Sequence, residues 1–420
     1  MKTTAPTRTF TPSLRSRDTL FCGGNLLFQV LDYKGKCSGY FSENSIYFEK
    51  SPPNEGKTWE YSQQFRGSGV ELARIYAGGR TLSEACPPEF KDEWKNIVDN
   101  LGKVIKAINT AKVSVADNCF YDLVPDRFLY EFLHAKNQIT EHVFESCERP
   151  ANYEFMHDLV ALLDKIRHQR LNIDIDPIMH LMASIRGQNF IRTIQSCKWV
   201  ADYNPWGTVT GRLATNPNSF PILTLGKEFR KCLKPQNDWF VELDFNAAEL
   251  RTLLSLSGRP QPTNDIHEWN VKNVFNNSMT REEAKTKTFA WLYSNRKNKK
   301  LEQIYDKTAT LEEYWDGRDV KTKFNRTIKK VDKHRALNYI VQSSTIDMVH
   351  EQAIRIDKML QPFKTNIAFL IHDAVILDLA ENDRYELPDI LQAFSDTRLG
   401  KFKVNVMAGN SLGDMKGLKL

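Results

Sequence analysis

The 420-residue chain has no uninterrupted apolar stretch approaching the roughly 18–20 residues of a membrane-spanning helix, which argues against a helical membrane protein. Its first twenty residues, MKTTAPTRTFTPSLRSRDTL, are basic and rich in Thr and Ser but lack the apolar run of a secretory signal. Residues 1–20 are expected to form a disordered arm, with an organelle address as the alternative reading. Cysteine is sparse. None of Cys22, Cys37, Cys86, Cys119, Cys147, Cys197 and Cys232 falls in a C-x-x-C pair or at zinc-finger spacing, which argues for a reducing compartment and incidental thiols. An excess of one charge is nearly missing too. The 58 Lys+Arg against 52 Asp+Glu leave a formal +6 and a pI near 8.7, a modest surplus that suits a partner with a phosphate backbone but also many other proteins. No internal repeat occurs. What the chain does have is a 41% hydrophobic composition with 24 Phe, enough for a real core, in a length suited to two or three domains.

The most informative segment is TREEAKTKTFAWLYSN. Arg281, Lys285, Phe289 and Tyr293 recur every four residues, so on an α-helix they form one slowly drifting stripe, cationic at its start and aromatic at its end. A nucleoside triphosphate has the same order, an anionic tail and then a flat base. Thr280 and Glu283 form a T-x-x-E capping box that sets the helix start, and its positive dipole end lies beside Arg281. The bland alternative is an amphipathic helix with two solvated cations and two core aromatics.

Two further segments carry isolated carboxylates. FVELDFNAAELRTLLSLSG reads as a strand ending at Asp244 and running into a helix, and NIAFLIHDAVILDLA as a tight β-hairpin interrupted by His372, Asp373 and Ala374. An Asp at the end of a buried strand is costly unless it is paired or binds a cation; a helix N-cap for Asp244 and a turn role for Asp373 are the ordinary readings. Two strand-end carboxylates with a cationic–aromatic helix between them suggest two-metal phosphoryl transfer, which needs few hard oxygen ligands.

With these segments in hand, the chain resembles the A-family DNA polymerases, which include bacterial repair polymerases and phage replicases. Asp244-Phe-Asn-Ala-Ala-Glu249-Leu-Arg251 matches their first palm motif, Arg281/Lys285/Phe289/Tyr293 the fingers helix, and His372-Asp373-Ala374 the second palm motif. Thr210-Gly211-Arg212-Leu213 with Pro217-Asn218, Asp265-Ile266-His267, Val320/Thr322/Arg326, and Asn338 with Gln342 match further segments in the family's order, over roughly residues 150–420. Departures are Ala374 for a Glu, Ser294, Asn325 and Ser343 for Gly residues, and His334 for an Arg.

The resemblance implies a mixed α and β, right-hand polymerase of palm, fingers and thumb with an antiparallel palm sheet, plus a small N-terminal region of unknown fold. The expected domains are a disordered arm (1–20), an unidentified N-terminal region (21–115), a helical thumb-like region (116–200), palm (201–260 and 331–420) and fingers (261–330). It implies template-directed addition of dNTPs to a primer 3′-OH with two Mg²⁺ ions, held by Asp244, Asp373 and the Phe245 carbonyl. Arg281, Lys285 and His267 are expected on the triphosphate, with Lys285 as proton donor to pyrophosphate, and Phe289 and Tyr293 on base and ribose. Glu249 is expected to crowd the ribose 2′ position, and Arg212, Arg251, Asn338, Gln342 and His372 to contact primer–template DNA. Proofreading is expected to be absent, since Asp32 in VLDYKGK has no Glu two positions on and no partner set. Implied partners are primer–template DNA and dNTPs, with a processivity factor, a helicase or a separate exonuclease as accessories and no membrane. The implied location is the bacterial cytoplasm or an infected host cell. Alternative readings are a single-subunit RNA polymerase and a non-catalytic, polymerase-like DNA-binding subunit.

Overall fold

In the computed structural model, which describes residues 26–418 apart from 34–35, 49, 114–117, 119 and 295, the chain divides between Asp164 and Lys165 into two units. The expected arm at 1–20 lies outside the described residues. No described helix is long and apolar enough to cross a membrane.

In the first unit, an antiparallel meander β1 (Phe28–Tyr33), β2 (Lys36–Ser42) and β3 (Ser45–Phe48) covers the apolar-alternating sequence LLFQVLDY and SIYFEK. Helix α1 (Lys91–Thr110) fills the periodic run EFKDEWKNIVDNLGKVIKAI. It packs with α2 (Asp126–Ser146), whose Leu129 and Leu133 join Leu31 and Phe41 of the meander in one cluster, and whose Ile139 and Val143 join Trp59 and Trp94 in another. Apolar clusters therefore join residues on both sides of position 115, and this unit is not divided there.

The second unit is built on a five-stranded antiparallel sheet of β4 (Trp239–Phe245), β7 (Asn366–Ile371), β8 (Ala374–Leu379), β9 (Val404–Gly409) and β10 (Lys416–Gly417), in the order β7-β8-β4-β9-β10. Strand β4 is central and alternates about the sheet, with Glu242 and Asp244 half-buried between buried Val241, Leu243 and Phe245. The other face packs on α8 (Leu387–Ser395), where Phe245 stacks on Phe394 at 4.3 Å between ring centroids. Helix α3 (Ile185–Ser196) precedes β4, and after β4 come α4 (Ala248–Leu256), α5 (Ile266–Asn273) and α6 (Arg281–Leu292). A two-stranded ribbon, β5 (Val320–Lys321) and β6 (Thr327–Ile328), then precedes α7 (Lys333–Met359), a 27-residue helix buried along much of its length. Leu250, Leu253, Ile266, Trp291, Leu292 and Val341 close one core between α4, α5, α6 and α7.

Candidate active site

Two sharp backbone features set the carboxylates. Strand β4 runs straight into α4 through Ala247, which adopts φ 50° and caps the helix without a side-chain hydrogen bond, so Asp244 is a strand residue and not an N-cap. The β7–β8 hairpin pairs Ile371 with Ala374, leaving His372 and Asp373 as a two-residue turn with His372 at φ 54°. Ala374 is thus a strand residue and stands directly opposite Asp244 in the β4–β8 register, which puts Asp373 next to Asp244.

Neither aspartate forms an ion pair among the described residues. The Asp244 carboxyl is pushed up to about 7, chiefly by burial, then by the Asp373 carboxylate; the Asn405 amide, donating to its Oδ2 at 3.2 Å from β9, opposes this, Glu242 adds to it and Lys285 again opposes it. Among the described residues no three or more His, Cys, Asp or Glu side chains form a ready-made metal cage. Two crowded carboxylates lacking cationic partners are nevertheless a fitting donor set for hard divalent ions that keep most of their own waters. The Phe245 ring lies in the core at 1% exposure, so only its backbone carbonyl is available as a ligand.

The stripe helix has the written start: Thr280 Oγ1 accepts from the Glu283 N–H, and Glu283 Oε2 accepts from the Thr280 N–H at 2.8 Å. Its fully buried residues are Ala284, Thr288, Trp291 and Leu292; Phe289 of the stripe is half-buried and packs against the same core, while Lys285 and Tyr293 are exposed. Lys285 is exposed and near enough to Asp244 and His267 to bias both. The Phe289 and Tyr293 rings stack 6.2 Å apart, and the His267 ring lies 5.8 Å from Phe289. His267 is only 3% exposed, its Nδ1 buried without a partner; burial, against Asp265 but aided by Arg281 and Lys285, lowers its pKa to about 4, so it is a neutral imidazole near pH 7.

Tyr293, the C-cap of α6, donates its hydroxyl to Glu249 on α4, whose other oxygen accepts from Arg212 at 2.8 Å. Burial pushes the Glu249 carboxyl up, opposed by the Tyr293 hydroxyl and Arg212. Gln342 on α7 lies near enough to Tyr293 to influence its hydroxyl, and one turn away the Asn338 Oδ1 is buried without a partner. His372 is exposed at the hairpin tip.

Two expected residues are placed differently. Arg251, expected on DNA, is 1% exposed, and its guanidinium donates to the Asn246 carbonyl and side chain, the Pro262 carbonyl and the Asn264 carbonyl. It braces the loop after α4: four of its five N–H donors are used and the group is buried away from solvent. Arg281, expected on the triphosphate, is paired here with Asp265 at 2.7 Å and Glu282 at 2.6 Å. Asp265 also caps α5 by accepting from the His267 and Glu268 N–H groups, and receives the Asn246 amide at 2.8 Å. Asp265 was visible as part of a motif, but its role as the hub of this network was not. Asn405 and Asp347, the latter on α7 and linked to the Gly211 backbone through Arg326, carried no sequence signal at all.

No protein-family model matches the chain. It is similar to a curated "DNA polymerase I" of Synechocystis sp., 23% identical over 258 residues, covering 46% of this chain and 26% of that protein. The chain thus spans about a quarter of the length of that relative. Among solved structures, it superposes on the POL domain of Pol1 from M. smegmatis, solved in complex with DNA primer-template and dNTP. The TM-score is 0.64 at 11% identity, over 93% of this chain and 96% of that one. The second comparison establishes the fold: a mixed α and β polymerase-domain architecture with an antiparallel sheet.

Proposed function

We propose that this polymerase-domain fold carries an A-family DNA polymerase, which adds deoxynucleotides to a primer 3′-OH under template direction. The carrying observation is the juxtaposition of Asp244 and Asp373 beside Lys285 and the Glu249–Tyr293 pair. Residues 201–260 and 331–420 are assigned as palm and 261–330 as fingers. Asp244, Asp373 and the Phe245 carbonyl would hold two Mg²⁺ ions, which when bound supply acidity to the attacking hydroxyl and charge neutralisation to the leaving phosphates. The oxygen of the 3′-OH bonds to the α-phosphorus, the bond to the bridging oxygen breaks, and pyrophosphate leaves.

The chain's own groups do the rest. Lys285 holds the phosphates and returns a proton to pyrophosphate. Arg281 reaches the tail on exchanging Asp265 for phosphate, and His267 offers its unpartnered Nδ1. Phe289 and Tyr293 support base and sugar, and Glu249 closes the 2′ position. Arg212, Asn338 and Gln342 test the shape of the pair in the minor groove, where the acceptors are common to all correct pairs. His372 positions the primer end. The enzyme is assigned no proofreading and a cytoplasmic setting.

Primer extension with Mg²⁺ tests the reading: dNTPs should extend the primer, rNTPs should do so far less, and with no nucleotide the 3′ end should stay intact. Efficient extension with rNTPs would favour an RNA polymerase, and no extension at all a DNA-binding subunit.

A further inference from the structure

We infer that Arg326, clamped by Asp347, is a positioning residue for Glu249 and through it for sugar selection. The inference rests on the reading of Glu249 given above. Asp347 lies in the middle of α7 with no exposure, where a lone carboxylate would cost several kcal/mol. Arg326 meets it with both prongs of its fork, Nε on Oδ2 at 2.8 Å and Nη2 on Oδ1 at 2.6 Å. The arginine is itself fixed. Its N–H donates to Thr322 Oγ1 at 3.2 Å, the Thr322 N–H donates to the Arg326 carbonyl at 3.0 Å, and Asn325 takes the left-handed turn position at φ 61°. Among the described residues no other acidic group is paired with this guanidinium; the nearby His350 is fully buried, with both ring nitrogens unpartnered and its pKa lowered by burial and then by Arg326.

The guanidinium supports the backbone of Gly211. That residue has φ 84°, and a Cβ built on it would lie 2.4 Å from Arg326 Nη2, so the main chain rests directly on the fork. The next residue, Arg212, has its carbonyl held by Thr208 Oγ1 at 2.8 Å and its side chain on Glu249. Asp347, Arg326, the Gly211 backbone, Arg212 and Glu249 are therefore successive contacts, each with one arrangement. Arg326 touches no substrate position itself; it sets where Arg212 can hold the Glu249 carboxylate beside Tyr293.

The test measures kcat/KM for dNTP and rNTP together with thermal unfolding, for the wild-type chain and for Glu249→Ala, Arg326→Lys and the double variant Arg326→Met/Asp347→Leu, which removes both buried charges at once so that a folded protein remains available. Arg326→Lys keeps the charge and loses the fork. It should shift the dNTP/rNTP ratio about tenfold in the direction of Glu249→Ala, and adding it to Glu249→Ala should change the ratio no further. A folded Arg326→Lys or Arg326→Met/Asp347→Leu protein with the wild-type ratio, while Glu249→Ala alters it, would overturn the positioning role and leave the reading of Glu249 standing. A ratio unmoved by Glu249→Ala would overturn both.

Discussion

Asp244 and Asp265 lie 21 positions apart on either side of α4, and their surroundings drive them in opposite directions. At Asp244, burial and the neighbouring Asp373 push the carboxyl up to about 7, with only the Asn405 amide and the more distant Lys285 in opposition. At Asp265, burial also pushes upward. Hydrogen bonds from Arg281, the Glu268 N–H and the Asn246 amide outweigh it and hold the carboxyl well below the usual range. One region leaves like charges crowded and uncompensated. The other surrounds a charge with donors and, through Asn246 and Arg251, ties it to backbone carbonyls. Crowded charge is costly to the fold and useful to chemistry; satisfied charge is structure.

The comparison is most exposed at the crowded site. Asp244→Asn or Asp373→Asn should lower extension by at least about a thousandfold while leaving primer–template affinity nearly intact, since each removes a charged ligand and little DNA contact. Because the folded-state value of Asp244 is raised, the cation-free protein loses stability as pH climbs from about 4 to about 7. In a chelator at pH 8, Asp244→Asn should therefore unfold later than wild type by about 2–4 kcal/mol, with the gap closing below pH 4. Urea titrations at the two pH values read this directly, and a destabilised Asp244→Asn would break the contrast.

Arg251→Met should show the reverse pattern. It orphans several buried carbonyls, so a loss of about 3–5 kcal/mol in stability is expected, while the affinity of the folded fraction for primer–template stays put. Weakened, salt-dependent DNA binding at full stability would restore Arg251 to the DNA surface.

Asp265→Asn should be milder, about 1–3 kcal/mol, because Asn retains the cap while losing the charge-assisted bonds to Arg281. A depressed carboxylate gives stability that is fully present above its ordinary value, begins to be lost as pH falls below about 4, and is gone only once pH has fallen through the depressed folded-state value, so the wild-type advantage should shrink steadily from about pH 4 downward. A difference that does not change at all between pH 5 and pH 2 would point to packing instead.

The smallest expected effect belongs to the stripe. Phe289 lies a turn beyond Lys285, with its ring between His267 and Tyr293. Phe289→Tyr should raise use of dideoxynucleotides several-fold in a direct competition on one primer, because the new hydroxyl can replace the contact of the missing 3′-OH. An unchanged ratio would mean the stripe helix docks the sugar elsewhere.

Local rules were legible in the chain because each depends on residues within a few positions of one another. The 3.6 period and capping box defined α6, the alternation and the α4 helix formers defined the β4–α4 unit, and the short interruption at His372-Asp373 defined the hairpin. Even the departure at Asn325 makes local sense, since Asn tolerates the left-handed turn position that Gly would otherwise take. What the motifs could not separate was which of their charged residues face outward. Arg251 and Arg212 read alike in sequence, yet one is sealed against backbone carbonyls while the other, exposed, meets Glu249.

By itself, then, the amino-acid order determined the elements, the stripe and the two strand-end carboxylates. Only the tertiary structure decided that Ala374 stands opposite Asp244, that Asp265 holds Arg281, and that Asp347 is linked to the Gly211 backbone through Arg326. The reason is one of range. Helix period, capping and turn chemistry act over a handful of bonds, whereas burial and charge pairing depend on strands and helices brought together from positions 16 to 130 residues apart.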